Sequence, residues 1–274
     1  PGSAPPRGGH IVLRRARLPI DGAVIFPGVD GRILFLIPWP RYTIVGTTDV
    51  DAPPDAPISA SRAEIDYLIA CANQLVQGAG IEPADVISCW AGLRPLLASD
   101  GSPSARSREE RIAHEGPVFT IAGGKLTGFR AMAETLGARV VAALGRGRGG
   151  RRSPTRAVRL VGALTERRQL PTWPQAIDAD ELLLRAHEHR YAAEASAVRA
   201  FCANGGDGDQ RLDPETLLGE IDWACQHDDA LSPADFLLRR SDLGYAGRAE
   251  LERTLPIVLA RMGALLRWSD AQRQ

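Results

Sequence analysis

The 274-residue sequence predicts an α+β protein: a mixed, largely antiparallel sheet with flanking helices, followed by an all-α carboxy-terminal domain. Three observations carry this expectation. The first half alternates short β-branched and aromatic runs with Gly, Pro and Asp turns. The second half reads as proline-started helices with apolar residues at three-four spacing. Between them, Gly145–Pro154 is a basic, glycine-rich stretch of low complexity. The expected divisions are residues 1–144, a linker over 145–156, and 157–274.

Ala23–Phe26 and Arg32–Ile37 flank Pro27-Gly-Val-Asp-Gly31, a hairpin signal with Asp30-Gly31 as its sharpest element. Ile33–Ile37 is apolar on both faces, as in a buried strand, and Pro38 and Pro40 stop it. A third strand is expected at Tyr42–Val45. Ser61-Arg-Ala-Glu64 fits a capping box, and Ile65, Leu68, Ile69, Ala72, Leu75 and Val76 give the following helix one buried face. Gly78 and Gly80 end it. Strands return at Val86–Trp90 and Val118–Ala122, and a second helix spans about Leu126–Leu144. Further helices are expected at Asp180–Arg190 and Tyr191–Cys202. Asp213-Pro-Glu215 and Ser232-Pro-Ala-Asp235 read as helix starts with proline at the first position. A last helix, about Arg248–Trp268, is interrupted by Pro256.

Hydrophobic residues make up 44% and charged residues 24%, which is globular composition rather than disorder. Basic and acidic side chains balance at 33 each, arguing against nucleic acid as a partner through bulk charge. The longest strongly apolar run, Ile33–Trp39, is far short of the ~20 residues that span a bilayer. The four cysteines show no CxxC spacing, so neither zinc nor a disulfide framework is indicated, and a reducing, cytoplasmic compartment is the default. Of the 33 basic residues only Lys125 is a lysine, which draws attention to it, since an ammonium does not act as a guanidinium does.

Phe119-Thr-Ile-Ala-Gly-Gly-Lys-Leu-Thr127 runs from a strand through two glycines into a helix start, where free amides face an anionic or electron-rich group. A phosphate-binding P-loop fails on spacing, because Phe119 and Leu126 occupy its first glycine and its hydroxyl position. The segment is either a ligand-facing helix start carrying Lys125 or an ordinary glycine turn. Arg94, in Trp90-Ala-Gly-Leu-Arg-Pro95, is either a fixed fork for a carboxylate or phosphate or half of a buried salt bridge. Arg108 has the composition of a surface charge cluster, and His10 precedes a short apolar run. His187 and His189, two apart on a helix, make a poor metal pair, and no metal is expected.

Together, Leu36-Ile-Pro-Trp39, Val45-Gly-Thr-Thr-Asp49, Trp90-Ala-Gly-Leu-Arg-Pro95 and Ala122-Gly-Gly-Lys-Leu-Thr127 resemble, in this order, the carboxy-terminal part of FAD-dependent glycerol-3-phosphate dehydrogenases. Asp235-Phe-Leu-Leu-Arg-Arg240 resembles that family's carboxy-terminal domain. The resemblance implies a cytoplasmic flavoenzyme oxidising sn-glycerol 3-phosphate to dihydroxyacetone phosphate and passing electrons from FAD to quinone. It extends to peripheral contact with the inner face of the cytoplasmic membrane and to a homodimer. By position it implies His10 as the base, Arg94 at the developing alkoxide, and Arg108 and Lys125 on the phosphate. Gly123, Gly124, Lys125, Leu126 and Thr127 would lie against the flavin, residues 1–144 forming the part that binds substrate and caps the flavin.

Two departures qualify the match. Gly128-Phe129 replaces the family's usual pair after Lys-Leu-Thr. More importantly, no strand–GxGxxG–helix arrangement is present, so the adenine-dinucleotide half of an FAD site is missing. The expectation is a fragment without an amino-terminal FAD-binding segment, inactive in isolation. Rival readings are a flavin amine oxidase of the glycine-oxidase type, whose arginine fork would hold a carboxylate, and a non-catalytic half-chain needing a partner.

Overall fold

The computed structural model describes residues 6–51, 55, 58–94, 110–146, 153–163 and 178–273. The chain runs β1 (Pro6–Arg14), β2 (Val24–Pro27), β3 (Ile33–Pro38), β4 (Tyr42–Gly46), β5 (Val50–Asp51), α1 (Arg62–Leu75), β6 (Val86–Leu93), β7 (Arg111–Glu115), β8 (Val118–Ala122), α2 (Phe129–Ala143), α3 (Ala179–Tyr191), α4 (Ala195–Asn204), β9 (Arg211–Asp213), β10 (Thr216–Leu217), α5 (Gly219–His227), α6 (Pro233–Arg239), α7 (Arg248–Leu265) and α8 (Asp270–Arg273). It divides into two compact units. The larger holds His10–Gly46, Arg62–Cys89 and Leu160–Gln274; the smaller holds Pro1–Gly9, Thr47–Ser61 and Trp90–Arg159.

In the larger unit, β2, β3, β4 and β1 pair antiparallel in that order. The β2–β3 connection is the expected hairpin. Gly31 takes φ +80°, and Asp30 accepts hydrogen bonds from Arg32 and from Tyr67 of α1. Side chains alternate across the sheet. Ile11, Leu13, Phe26, Leu34, Leu36 and Val45 form one face and pack on Leu68, Ile69, Cys71 and Ala72 of α1. That is the helix face the apolar spacing predicts, except that Leu75 stays exposed.

The carboxy-terminal part of this unit is helical. Its largest core joins Leu212, Ile221, Phe236, Leu237, Leu243, Val258 and Met262. Three local expectations change. Asp213-Pro-Glu215 is a hairpin turn between β9 and β10 rather than a helix start, because the Asp213 carboxylate accepts from the Glu215 amide at 2.8 Å and closes the turn. Pro256 lies inside α7 without ending it. Tyr191 closes α3 instead of opening the next helix, since Ala192 takes φ 49° and separates α3 from α4.

Buried Glu220 organises this part. Its carboxylate accepts from Tyr191 Oη at 2.8 Å, the Leu217 amide at 2.6 Å and Arg190, and lies 2.9 Å from His187 Nε2. The Pro38–Arg41 turn is latched to the same part: Trp39 Nε1 donates to Asp242 at 3.0 Å, and Arg41 pairs with both Asp213 and Glu215.

The smaller unit is built differently. The start of β1 pairs with β5, Pro6 opposite Asp51 and Arg7 opposite Val50. β7 and β8 form a hairpin, and a 3-10 turn at Leu126–Gly128 leads into α2. Among its described residues none of the aliphatic or aromatic side chains is buried; Pro6, Gly8, Gly9 and Thr48 are.

Candidate active site

His10 lies on β1 opposite Gly46 of β4. A methyl group at position 46 would meet the imidazole, with Cγ and Nε2 both 2.8 Å away, so the ring occupies space that only glycine leaves. His10 belongs to the sheet face away from α1. By register that face also carries Ile25, Ile33, Phe35, Ile37 and Ile44. Ile25 is 66% exposed and Ile33 55%, so this face is open at its β2–β3 end, whereas Val12, on the same face as His10, is buried.

Arg94 follows β6 in the smaller unit. Its amide donates to Pro6 O at 2.8 Å, joining the end of β6 to the start of β1. Its Nη2 donates to Thr47 Oγ1 and Thr48 O, both at 3.1 Å, and its Nη1 lies 3.3 Å from Asp49 Oδ1. The guanidinium rests over Gly8, where a methyl would come within 2.6 Å of Thr47 Oγ1 and 3.0 Å of Nη2. Thr48 in turn is tied to β1: its amide donates to Gly9 O at 3.1 Å and its Oγ1 accepts from Gly9 N at 2.7 Å. Of the two readings of Arg94, the salt bridge is the one seen here: the guanidinium is paired with Asp49 and hydrogen-bonded to Thr47 and Thr48.

Gly123 and Gly124 follow β8 with φ +79° and +80°, the left-handed region that favours glycine. At Gly124 a methyl would come within 2.5 Å of Met132 Sδ on α2, so the glycine also allows α2 to fold back on the turn. Lys125 is extended and exposed, and supplies no side-chain cap to the Leu126–Gly128 turn. Leu126 is 88% exposed, and Thr127 is exposed as well. Arg108 lies outside the described residues. The structure thus places His10 in one unit and Arg94, Gly123, Gly124, Lys125, Leu126 and Thr127 in the other.

In the sequence Gly-Thr-Thr-Asp49 stands out only as part of a motif, with no task for Thr47, Thr48 or Asp49. No local pattern marks them, since polar residues after a strand are ordinary loop composition. His187 and His189 do face different sides of α3, His187 toward Glu220 and His189 edge-on to Trp39. Among the described residues no cluster of His, Cys, Asp or Glu could hold a metal, and no helix is long and apolar enough to cross a membrane.

Residues 2–144 match the model of the FAD dependent oxidoreductase family, and residues 153–273 match the C-terminal domain of alpha-glycerophosphate oxidase. The chain belongs to the FAD dependent oxidoreductase family. Among individual proteins it is similar to the aerobic glycerol-3-phosphate dehydrogenase of Staphylococcus aureus strain USA300, at 30% identity over 97% of this chain and 50% of that protein. The protein of the same description from strain bovine RF122 / ET3-1 is 29% identical over the same shares. Among solved structures it resembles the glycerol-3-phosphate dehydrogenase from Bacillus halodurans complexed with FAD, with a TM-score of 0.77 and 28% identity over 98% of this chain and 54% of that one. The chain therefore spans about half the length of these relatives.

Proposed function

We propose that this chain supplies the part that binds substrate and faces the flavin in an enzyme oxidising sn-glycerol 3-phosphate to dihydroxyacetone phosphate, with quinone as the final acceptor. One observation carries the reading: both polar side chains assigned to the reacting carbon sit in places that only glycine leaves open, His10 over Gly46 and Arg94 over Gly8.

The residues fit FAD at the Gly123–Thr127 segment. Two left-handed glycines present bare backbone there, and the turn that follows has no side-chain cap. Bound FAD would supply the two-electron acceptor for the hydrogen leaving the secondary carbon. His10, as neutral imidazole, takes the hydroxyl proton. Arg94 steadies the developing negative charge on that oxygen, while Lys125 and Arg108 meet the phosphate. A doubly charged phosphate explains two further cations better than the single carboxylate of a glycine-like substrate does.

The same reading holds that the 274 residues are not competent alone. They lack a strand–GxGxxG–helix; Gly145–Gly150 spells those glycines but follows helix α2. The smaller unit also has no buried aliphatic or aromatic side chain among its described residues, so its packing calls for further polypeptide. The test is a hybrid of this chain behind the amino-terminal half of the Staphylococcus aureus relative. It should retain flavin and reduce it with sn-glycerol 3-phosphate, and His10→Ala should slow that reduction by about 10²-fold or more. An unchanged rate in His10→Ala removes the base, and a hybrid that keeps flavin but ignores sn-glycerol 3-phosphate removes the substrate.

A further inference from the structure

We infer that Asp49 is the positioning residue for Arg94: with Thr47 and Thr48 it fixes the orientation of the guanidinium. The inference rests on the reading that Arg94 faces the substrate. Within the smaller unit the geometry is specific. Two acceptors, Thr47 Oγ1 and Thr48 O, hold Nη2 at 3.1 Å, and Asp49 Oδ1 faces Nη1 at 3.3 Å. The Asp49 side chain is 9% exposed and that of Arg94 21%, so this ion pair is largely removed from water and is screened less than one at an exposed surface. The acceptors themselves are anchored, because Thr48 is bonded to Gly9 of β1 through both its amide and its hydroxyl. Gly8 provides the surface on which the guanidinium lies.

Asp49 has a second consequence. A carboxylate beside Arg94 offsets most of its net charge, so Arg94 contributes directed N–H donors rather than long-range attraction for an anion. Attraction of the substrate's phosphate is left to cations such as Lys125. A residue with this task influences the reacting oxygen more than the affinity for the phosphate, which separates it from a merely structural ion pair.

The first test is side-chain NMR of the 274-residue chain, with the Arg94 signals assigned by their loss in Arg94→Lys. In the parent chain the Arg94 Nη protons should exchange about tenfold more slowly than those of free arginine, and Asp49→Asn should abolish most of that protection. Thr47→Val, which removes one neutral acceptor, should give a smaller loss of about threefold. If Asp49→Asn does not fold, Thr47→Val decides. Arg94 signals at the free-arginine position in the parent, or unchanged in a folded variant, overturn the inference.

The second test uses the flavin-loaded hybrid. There Asp49→Asn should lower kcat for sn-glycerol 3-phosphate about tenfold while KM stays within about twofold. A rise in KM at constant kcat overturns the positioning role. Asp49-dependent protection of Arg94 in a hybrid that does not oxidise sn-glycerol 3-phosphate supports the role of Asp49 and removes only the substrate assignment.

Discussion

Helices α1 and α2 are nearly equal in length and both are rich in apolar residues, yet their surroundings differ completely. α1 buries Glu64, Leu68, Ile69, Cys71 and Ala72, its apolar members against one face of the sheet; α2 buries nothing among its 15 residues. The difference extends to their units. Every core cluster described lies in the larger unit, whereas the contacts described in the smaller are backbone pairing, hydrogen bonds, a His114–Phe119 stack and ion pairs at Arg94 and Arg130. A part with its own core can be stable by itself, whereas a part without one borrows its stability. That contrast predicts where substitutions should matter.

The largest effect is expected at Glu220. Burial alone would raise its pKa, but Arg190 first and His187 next outweigh that and hold it down at about 2 from an ordinary 4.5. A depressed carboxylate contributes stability above its ordinary pKa and loses it as pH falls through about 2. Glu220→Gln leaves Arg190 largely buried without its counter-charge, so it should lower unfolding stability by about 3 to 5 kcal/mol at pH 7. Urea unfolding followed by tryptophan fluorescence measures this. A loss below about 1 kcal/mol would show that the larger unit does not depend on its buried network.

Glu215, five residues earlier, should behave with the opposite sign. Burial dominates there and, with Asp213 beside it, raises its pKa to about 7 despite Arg41 and Arg190. A raised carboxylate gives its full stability only below about 4.5 and loses it as pH rises through about 7. Glu215→Gln should therefore match the parent at pH 4.5 and exceed it by about 2 to 3 kcal/mol at pH 8. Urea midpoints across that range test the sign. Destabilisation at pH 8 would mean that the Arg41 clamp needs the charged form, and the latch would then be a true double ion pair.

These features were unevenly legible in the sequence. The hairpin at Asp30-Gly31 and the buried face of α1 could be read because a local pattern specifies each. The first half of β1 could not, since Pro6-Arg-Gly-Gly-His10 has no strand composition; Ile11-Val-Leu13 has it, as a short apolar run that pairs with β4. The Asp213 turn was misread because Asp-Pro-Glu starts a helix or closes a turn with the same side-chain acceptor. Lys125 and Arg94 stand out by residue type and position alone, whereas His10 and Arg108 are singled out by the resemblance. What supports Arg94 did not come through, because Asp49 is 45 positions away and no local periodicity links the two.

The smallest effect is expected on the surface of α2 and the turn before it, and it is the most informative for the contrast. Phe129 is 51% exposed and Leu126 88%, so Phe129→Ala and Leu126→Ala should each change the stability of this chain by less than about 0.5 kcal/mol. Leu36→Ala, within the sealed core, should lose about 2 to 5 kcal/mol in the same measurement. Repeating the α2 substitution in the hybrid reverses the expectation. If further polypeptide covers the helix there, Phe129→Ala should become destabilising by about 2 kcal/mol or more and should lower flavin retention. A neutral result in both contexts would mean that α2 is a solvated helix in the whole protein. A loss already present in the isolated chain would mean that the smaller unit is stabilised through Phe129 without a partner, and the contrast between the two helices would fall.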